Sequence, residues 1–222
     1  MKVQDYFNKA AESYDSNCQL QLHTGEKLLK LCPAQETIID LGCGSGIITQ
    51  KLNYKKLYAL DIAEQLLQKA KTRLNNQNVI FLEESFDSFS ELELDLAFAN
   101  MSLQWSNDLS LTFNNIKSNL KPGGLLAFSL PLAGTFANLT SRLAFHSEQE
   151  IKALLKDWQI IHYSSEEISY NFSSLIDALR SIKAVGANYC QNRRMELISR
   201  AKKPYSLKYN IGYFIAKLDW CT

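Results

Sequence analysis

The stretch that decides the fold of this chain runs from residue 37 to residue 46 and reads Thr37-Ile38-Ile39-Asp40-Leu41-Gly42-Cys43-Gly44-Ser45-Gly46. Its β-branched start and its alternate glycines predict a buried strand that stops, turns tightly and opens into a helix near 47–53. Glycine has no side chain, so the backbone of such a turn can approach a ligand closely. The stretch therefore predicts a ligand bound against the turn at the end of a strand.

A carboxylate follows the next predicted strand. Residues 56–60 are strand-like, and Asp61 comes directly after them. An acid about 20 residues beyond a glycine turn is placed to accept hydrogen bonds from the two hydroxyls of a ribose. The turn and Asp61 together indicate a cofactor that carries a nucleoside.

The glycine spacing and the charge of Asp40 discriminate between two such cofactors. The fingerprint for a nicotinamide dinucleotide is Gly-x-Gly-x-x-Gly, and Ile47 occupies its third glycine position here. Asp40 would also repel a pyrophosphate, which binds to positive backbone dipoles. A carboxylate there suits the ammonium group in the methionine part of S-adenosylmethionine. After the third strand, we expect Glu84 to accept from the adenine amino group and the backbone at Ser85 to meet a ring nitrogen.

The rest of the chain alternates between strand-like and helix-like runs with short connections. The predicted strands lie at 37–41, 56–60, 79–82, 94–99 and 125–130, and the predicted helices at 3–14, 19–31, 63–75 and 107–120. This alternation implies a parallel sheet with helices on both faces. Beyond residue 131 we expect a helix that begins with a capping box at Ser147, strands at 158–163 and 166–171, helices at 173–185 and 191–201, and a last strand at 209–218.

The length favours one domain with an insertion over two domains. We interpret residues 1–222 as a single domain. Residues 1–34 would form a helical cap, residues 35–131 the cofactor-binding core, and residues 132–222 the substrate-side helices, the insertion and the last strands.

The composition excludes several other classes. The five cysteines are scattered and never in Cys-x-x-Cys spacing, and no two of the three histidines stand at i, i+4, so no metal and no disulfide framework is expected. The 24 basic residues nearly balance the 23 acids, which gives no general attraction to nucleic acid. No apolar run approaches the roughly 20 residues of a membrane span. These features predict a cytoplasmic protein.

One long region of the chain resembles a broad class of enzymes, and three shorter segments resemble one family within that class. Residues 35–130 resemble the class I S-adenosylmethionine-dependent methyltransferases in the order of their motifs. Residues 7–15, 100–105 and 178–187 are similar to the malonyl-acyl carrier protein O-methyltransferases of early biotin synthesis. The resemblance implies an α/β, Rossmann-like fold with a doubly wound, mostly parallel seven-stranded sheet. It also implies methyl transfer from S-adenosylmethionine to the free carboxylate of a malonyl thioester, the start of pimeloyl synthesis for biotin.

The resemblance also assigns roles to single residues. The implied cofactor-binding residues are Asp40, Gly42, Gly44, Gly46, Asp61, Ile62, Glu84, Ser85 and Asn100. Gln104 and Trp105 are expected on the substrate side. Tyr14, Arg180 and Lys183 are expected to position the substrate, and no general base is expected, because the malonyl carboxyl is ionised at neutral pH.

A cation suits the malonyl carboxylate, and Arg180 is expected to grip one oxygen or the thioester carbonyl while the other oxygen stays free. Tyr14 is expected to hydrogen-bond the substrate or to close over the sulfonium. The basic run formed by Arg193, Arg194, Arg200, Lys202 and Lys203 is expected to attract an acidic acyl carrier protein.

Other functions stay open on sequence alone. Within methyl transfer, the acceptor is alternatively a free dicarboxylic acid or a quinone-type ring. From other classes, a nucleotide-binding oxidoreductase and an inactive binding module are alternatives, and both fit the residues less well. The thioester is carried either by acyl carrier protein or by coenzyme A, since both present the same thioester end, and the oligomeric state is open.

Overall fold

The apolar runs of the sequence form a seven-stranded sheet. In a computed structural model, which describes residues 3–89, 91–137, 139, 144–187 and 204–218, the strands stand in the order β3-β2-β1-β4-β5-β7-β6. Their bounds are β1 Thr37–Leu41, β2 Lys56–Leu60, β3 Val79–Leu82, β4 Leu94–Asn100, β5 Leu120–Pro131, β6 Trp158–Phe172 and β7 Tyr205–Leu218. Strands β1 to β5 are parallel, and β7 runs antiparallel to both of its neighbours. The predicted fold class is confirmed.

Helices cover both faces of this sheet. Their bounds are α1 Val3–Asn17, α2 Gln19–Leu31, α3 Glu64–Arg73, α4 Leu109–Asn119, α5 Glu148–Leu154 and α6 Leu175–Ala184. Successive residues of a strand point to opposite faces, so Ile38 packs with the core under α2 and α3, and Ile39 with the core under α4 and α5. The two cores hold the carboxyl ends of the parallel strands together at one edge, where ligands bind in such sheets.

Three predicted elements differ from the observed ones. The segment after the glycine turn forms a single 3-10 turn, Thr49–Lys51, and the predicted helix at 47–53 is wrong. Three β-branched residues in a row (residues 47–49) disfavour a helix, and few residues separate the turn from β2. The strands predicted at 158–163 and 166–171 are one strand, because β7 pairs with β6 along its whole length past a bulge between Ile160 and His162. Strand β5 begins before the Pro-Gly-Gly segment, at Leu120, with an irregular register opposite β4.

Other predictions are confirmed or fall outside the described residues. The capping box is present: the Ser147 hydroxyl accepts from the backbone N–H of Glu150, whose carboxylate accepts from the backbone N–H of Ser147. The predicted helix at 191–201 and the basic run from Arg193 to Lys203 lie outside the described residues. In the part of the chain that is described, no helix has both the length and the apolar character of a membrane span.

Helix α1 lies between α3 and α6 and contacts both. On one side, the Asn8 side chain accepts from the backbone N–H of Gln65 at 3.0 Å. On the other side, the Ser13 hydroxyl donates to the backbone carbonyl of Ala184 at 3.0 Å. Gly186, just beyond α6, has a φ of +73°, and a Cβ there would lie 2.8 Å from the Phe7 ring. The amino-terminal helix is therefore fastened to α3 and to the end of α6 at once.

Candidate active site

The glycine turn closes against two neighbouring strands. Gly42, Gly44 and Gly46 all have positive φ, between +56° and +80°, where L side chains are strained. Gly42 is also restricted by space, because a Cβ there would lie 2.5 Å from the Cβ of Ser102. The N–H groups of Gly42 and Cys43 both donate to the Leu60 carbonyl, at 2.8 and 2.9 Å. The turn is thus fixed to the end of β2 before any ligand arrives.

Two buried carboxylates flank the turn. Asp40 accepts from the Thr49 hydroxyl at 2.6 Å, and Asp61 accepts from the N–H groups of Gly44 and Ala63, both at 2.7 Å. Burial raises the pKa of Asp40 to about 7, against the hydrogen bond from Thr49 and together with the charge of Asp61. Burial likewise raises the pKa of Asp61 to about 6, against its backbone hydrogen bonds.

Two neighbouring acids with raised pKa values make a site that favours a cation. No Lys or Arg in the described part of the chain forms an ion pair with Asp40 or Asp61. A ligand with an ammonium and a sulfonium group would supply the missing positive charge, whereas a pyrophosphate would add to the repulsion. The residues around the turn therefore fit S-adenosylmethionine.

An ion pair that sequence reasoning missed joins α1 to the turn. We call Asp15, Ser45 and Arg73 the clamp. Asp15 accepts from the Ser45 hydroxyl at 2.5 Å and from the Arg73 guanidinium at 2.7 Å, and Arg73 also donates to the Ser45 carbonyl. Burial raises the pKa of Asp15, but the hydrogen bonds from Ser45 and Arg73 and the charge of Arg73 outweigh it, so the pKa lies below its ordinary value. The clamp holds the carboxyl-terminal end of α1 on the turn.

Tyr14 lies directly over the glycine turn. A Cβ placed on Gly44 would lie 3.5 Å from the Tyr14 hydroxyl oxygen. Burial raises the pKa of Tyr14, and the nearby Cys18, Asp61 and Asp15 act in the same direction. The hydroxyl therefore keeps its proton at neutral pH and can donate a hydrogen bond.

A cavity of about 360 Å³ begins beside Tyr14. It lies at the carboxyl ends of β4 and β5 and is walled by α1, α2 and α6. Its wall combines aromatic side chains with neutral polar ones: Phe7, Tyr14, Asn17, Gln19, Trp105, Phe136, Phe145, Tyr170, Asn171, Phe172 and Tyr209. Of the described residues that line this cavity, none is Lys, Arg or His. We call it the substrate cavity.

The predicted pair Gln104 and Trp105 lines the substrate cavity. The Trp105 ring meets the Phe7 ring edge-on, with centroids 5.6 Å apart. The Gln104 amide nitrogen donates to the Met101 carbonyl at 2.8 Å, which fixes the orientation of the amide. Its oxygen, Oε1, is buried and is the side-chain acceptor without a hydrogen-bond partner in the described part of the molecule.

The four remaining residues that are predicted to bind the cofactor differ in exposure and in hydrogen-bond partners. Ile62, next to Asp61, is 39% exposed, which is unusual for isoleucine and leaves an apolar face beside the carboxylate. Glu84 is half-buried, and the Ser85 hydroxyl accepts from the backbone N–H of Asp87 at 3.1 Å. The Asn100 amide has internal partners at both ends: it donates to the Gln21 carbonyl and accepts from the Ser129 hydroxyl. Asn100 thus joins α2 to the sheet edge.

The structure does not bring Arg180 and Lys183 to the substrate cavity. Both are exposed, and the Arg180 guanidinium pairs with the Asp177 carboxylate at 3.2 Å. The opposite face of α6 supplies Ser181 and Ile182 to the cavity wall. Helical spacing predicts that Arg180 and Lys183 share a face, but it does not say which face meets the cavity. In the observed geometry, neither side chain is part of the cavity wall.

Comparison with known proteins agrees with this geometry. A family model described as a methyltransferase domain matches residues 39–128, which include the glycine turn and Asp61. A relative from Coxiella burnetii, malonyl-[acyl-carrier protein] O-methyltransferase 2, is 38% identical over 97% of this chain and 95% of its own. The chain belongs to the malonyl-[acyl-carrier protein] O-methyltransferase family. A second family member, malonyl-[acyl-carrier protein] O-methyltransferase 2 of Ilyobacter polytropus, is 30% identical over 84% of this chain and 80% of its own.

Membership of this family identifies the cofactor that binds at the glycine turn. This methyltransferase uses S-adenosylmethionine, as Asp40 and Ile47 predict. A solved S-adenosylmethionine-dependent methyltransferase from Aquifex aeolicus shares the fold with a TM-score of 0.62, over 95% of this chain and 98% of that one, at 17% identity. No cluster of three potential metal ligands occurs among the described residues of the methyltransferase.

Proposed function

We propose that this enzyme transfers the methyl group of S-adenosylmethionine to the free carboxylate of a malonyl thioester carried by acyl carrier protein. The family supports this reaction, because the relatives from Coxiella burnetii and Ilyobacter polytropus carry that substrate in their names. One observation of the site carries the proposal: the described wall of the substrate cavity offers neutral donors and no histidine. An acceptor that must first lose a proton needs a base, whereas a carboxylate is already ionised.

For the cofactor, the proposal assigns contacts to five of the predicted residues. Asp40 would face the ammonium group, and the free lone pairs of Asp61 would accept from the ribose hydroxyls. The exposed apolar face of Ile62 would be covered by the adenine ring, with Glu84 and the backbone at Ser85 at its polar edge. The buried carboxylates support this assignment, because they lack a cation in the described part of the protein.

Bound S-adenosylmethionine supplies a methyl group on a positively charged sulfur. A substrate carboxylate oxygen forms the new O–CH₃ bond as the S–CH₃ bond breaks, so opposite charges are neutralised and a thioether leaves. The protein has to align the two groups and exclude water, since positioning and a dry site supply most of the acceleration that such a displacement needs. The aromatic wall of the substrate cavity provides the dry surface.

Tyr14 is the residue best placed to position the carboxylate. Its protonated hydroxyl lies between the glycine turn and the substrate cavity, and we assign it a hydrogen bond to one carboxylate oxygen. A single neutral donor leaves the other oxygen nucleophilic, whereas a two-pronged guanidinium would stabilise the charge on both. Tyr14→Phe is expected to lower kcat about tenfold, the loss of one hydrogen bond to a charged group.

Arg180 and Lys183 keep a proposed role in substrate binding, although neither lines the substrate cavity in the structure. Arg180 would have to leave Asp177 to reach the substrate, and an exposed ion pair of this kind costs only about 0–1 kcal/mol to break. Arg180→Ala should then raise KM for the thioester, with Lys183→Ala as the comparison on the same exposed face. Unchanged KM in both variants would remove these two residues from the proposal.

The proposed partner is malonyl-loaded acyl carrier protein. Charge reversal at Arg193, Arg194, Arg200, Lys202 and Lys203 tests it, because a carrier protein is acidic and complementary charge speeds encounter. The reversed enzyme should lose turnover of the carrier-bound substrate and keep turnover of malonyl-coenzyme A. If the charge reversal left the turnover of both substrates unchanged, the proposed docking role of these residues would be contradicted.

One parallel assay tests the proposed reaction. The purified enzyme is incubated with S-adenosylmethionine and with malonyl-acyl carrier protein, malonyl-coenzyme A or free malonate, and the methyl ester is measured by mass spectrometry. We expect ester on the carrier-bound substrate at the highest rate. Absence of ester on both thioesters would overturn the proposed function.

A further inference from the structure

A second cavity, of about 330 Å³, adjoins the substrate cavity. The two share four wall residues, which are Gln104, Pro131, Ala144 and Phe145. The second cavity lies between the end of β5, the 3-10 turn Leu103–Trp105 and the amino-terminal end of α4. We call it the side cavity. It provides a path toward Gln104 from a surface on which no function has been placed.

The side cavity runs from exposed side chains to a buried acceptor. Asn107, Ser110 and His146 on its wall are exposed, whereas the Gln104 Oε1 atom on the wall that it shares with the substrate cavity is buried. A buried carbonyl oxygen without a donor is costly in a folded protein, and most such atoms are paired. Rotation of the amide does not solve the problem, because the nitrogen is already used by the Met101 carbonyl. The donor that this atom lacks among the described residues can be supplied by a bound ligand.

The malonyl group itself has no donor to offer. Its carboxylate, its methylene group and its thioester carry acceptor atoms or no polar hydrogen at all. The arm that carries a malonyl thioester, on carrier protein as on coenzyme A, has an amide N–H two carbons beyond the sulfur. That N–H is the first hydrogen-bond donor that a substrate would bring to the wall between the two cavities.

We propose that the side cavity is the passage for the pantetheine arm of the substrate, and that Gln104 Oε1 accepts from the arm amide nearest the thioester. This inference rests on the proposed function and names the part of the substrate that the enzyme recognises apart from the carboxylate. Polar side chains on the side-cavity wall, such as Ser106 and Asn107, suit an arm that contains amides. The Asp108 carboxylate caps α4 at the rim and would repel a phosphate, so the phosphate of the arm stays outside.

Two substrates test whether Gln104 accepts a hydrogen bond from the arm amide or has another role. Malonyl-pantetheine has the arm amide, whereas the S-ethyl thioester of malonate has the same carboxylate and thioester but no N–H. Gln104→Leu is expected to lower kcat/KM for malonyl-pantetheine about tenfold, because a buried N–H loses its acceptor. The S-ethyl thioester brings no N–H to Gln104, so its kcat/KM should fall less, and the ratio of the two kcat/KM values is the readout. Circular dichroism of the variant shows whether it is folded.

A second variant tests the passage itself. Ser110→Trp fills the side cavity from its exposed rim, and Ser118→Trp, on the same helix and outside either cavity wall, is the matched control. Ser110→Trp should raise KM for malonyl-pantetheine and leave the S-ethyl thioester unaffected, and Ser118→Trp should change neither. Equal losses for both thioesters in Gln104→Leu, together with no effect of Ser110→Trp, would overturn the inference and leave the proposed function intact. Failure of the unchanged enzyme to methylate either thioester would instead overturn the proposed function.

Discussion

The clamp gives the sharpest prediction about the cofactor site. Arg73→Met removes the guanidinium that bonds both the Asp15 carboxylate and the Ser45 carbonyl and keeps the aliphatic length of the side chain. The paired side chains are only 24% and 28% exposed, so water screens them less than it screens an ordinary surface pair. Hydrogen bonds to charged groups contribute about 1.5–3 kcal/mol, and partial exposure reduces this to about 1–2 kcal/mol here.

This loss should appear in cofactor binding. Without the clamp, α1 no longer holds Tyr14 over the turn, and the energy of docking the helix must come from the binding energy of S-adenosylmethionine. A cost of 1–2 kcal/mol corresponds to about 5- to 30-fold weaker binding. Isothermal titration with S-adenosylhomocysteine measures it directly, and the same protein batches give the free energy of unfolding in urea.

A double-mutant cycle and a control variant keep the reasoning testable. Asp15→Asn should weaken binding by a similar factor, and the double variant should be little worse than either single one, because both break the same interaction. Lys208→Met breaks an ion pair with Glu167 whose side chains are 51% and 60% exposed, so binding should stay unchanged. Additive losses from Asp15→Asn and Arg73→Met, or unchanged affinity in both, would refute the role of the clamp.

Four further predictions concern the turn and the capping box. Because burial raises the pKa of Asp40 to about 7, its carboxyl is protonated in acid, and affinity for S-adenosylmethionine should fall about tenfold per pH unit between pH 7 and 6. Asp61, with a pKa of about 6, should steepen the fall below pH 6. Titration at several pH values measures both slopes, and Asp40→Asn should remove the first and keep the second. The same raised pKa makes the free enzyme lose stability as pH rises from about 4 through 7, since the folded state binds the proton more tightly than the unfolded state; urea unfolding at pH 5 and pH 8 checks the sign. Gly42→Ala should abolish binding and lower the free energy of unfolding, because its Cβ would overlap Ser102. Ser147→Ala should cost about 1 kcal/mol in urea unfolding and leave activity unchanged.

The cofactor half of the site is predictable from sequence because it is local. Gly42, Asp40 and Asp61 stand at strand ends, and parallel strands bring their carboxyl ends to one edge whatever the details of packing. The clamp is not predictable in this way. Asp15 and Arg73 lie on different helices, and their contact depends on how α1 docks, which no period or spacing in the sequence records.

Prediction of the substrate-binding part of the site is likewise limited by contacts that depend on long-range packing. The pattern of α6 predicts an amphipathic helix, but the face that meets the cavity is decided by long-range packing against β6 and β7. The sequence reasoning therefore identified the helix and expected its cations, Arg180 and Lys183, where the structure has Ser181 and Ile182. The unpaired Gln104 oxygen also depends on tertiary contacts, since only the folded chain reveals that none of the described residues donates to it.

The position of α1 makes the two binding sites thermodynamically dependent on each other. One face of this helix covers the glycine turn through Tyr14, and Phe7 of the same helix forms part of the substrate cavity wall. A ligand in either site that favours the docked helix would spare the other ligand that ordering cost, so we expect the two sites to be positively cooperative, in addition to any direct contact between the ligands. Linkage requires the factor to be reciprocal: if the thioester tightens cofactor binding tenfold, the cofactor tightens thioester binding tenfold. The two products are then expected to leave in order. Once the methyl ester has dissociated, the enzyme binds S-adenosylhomocysteine more weakly.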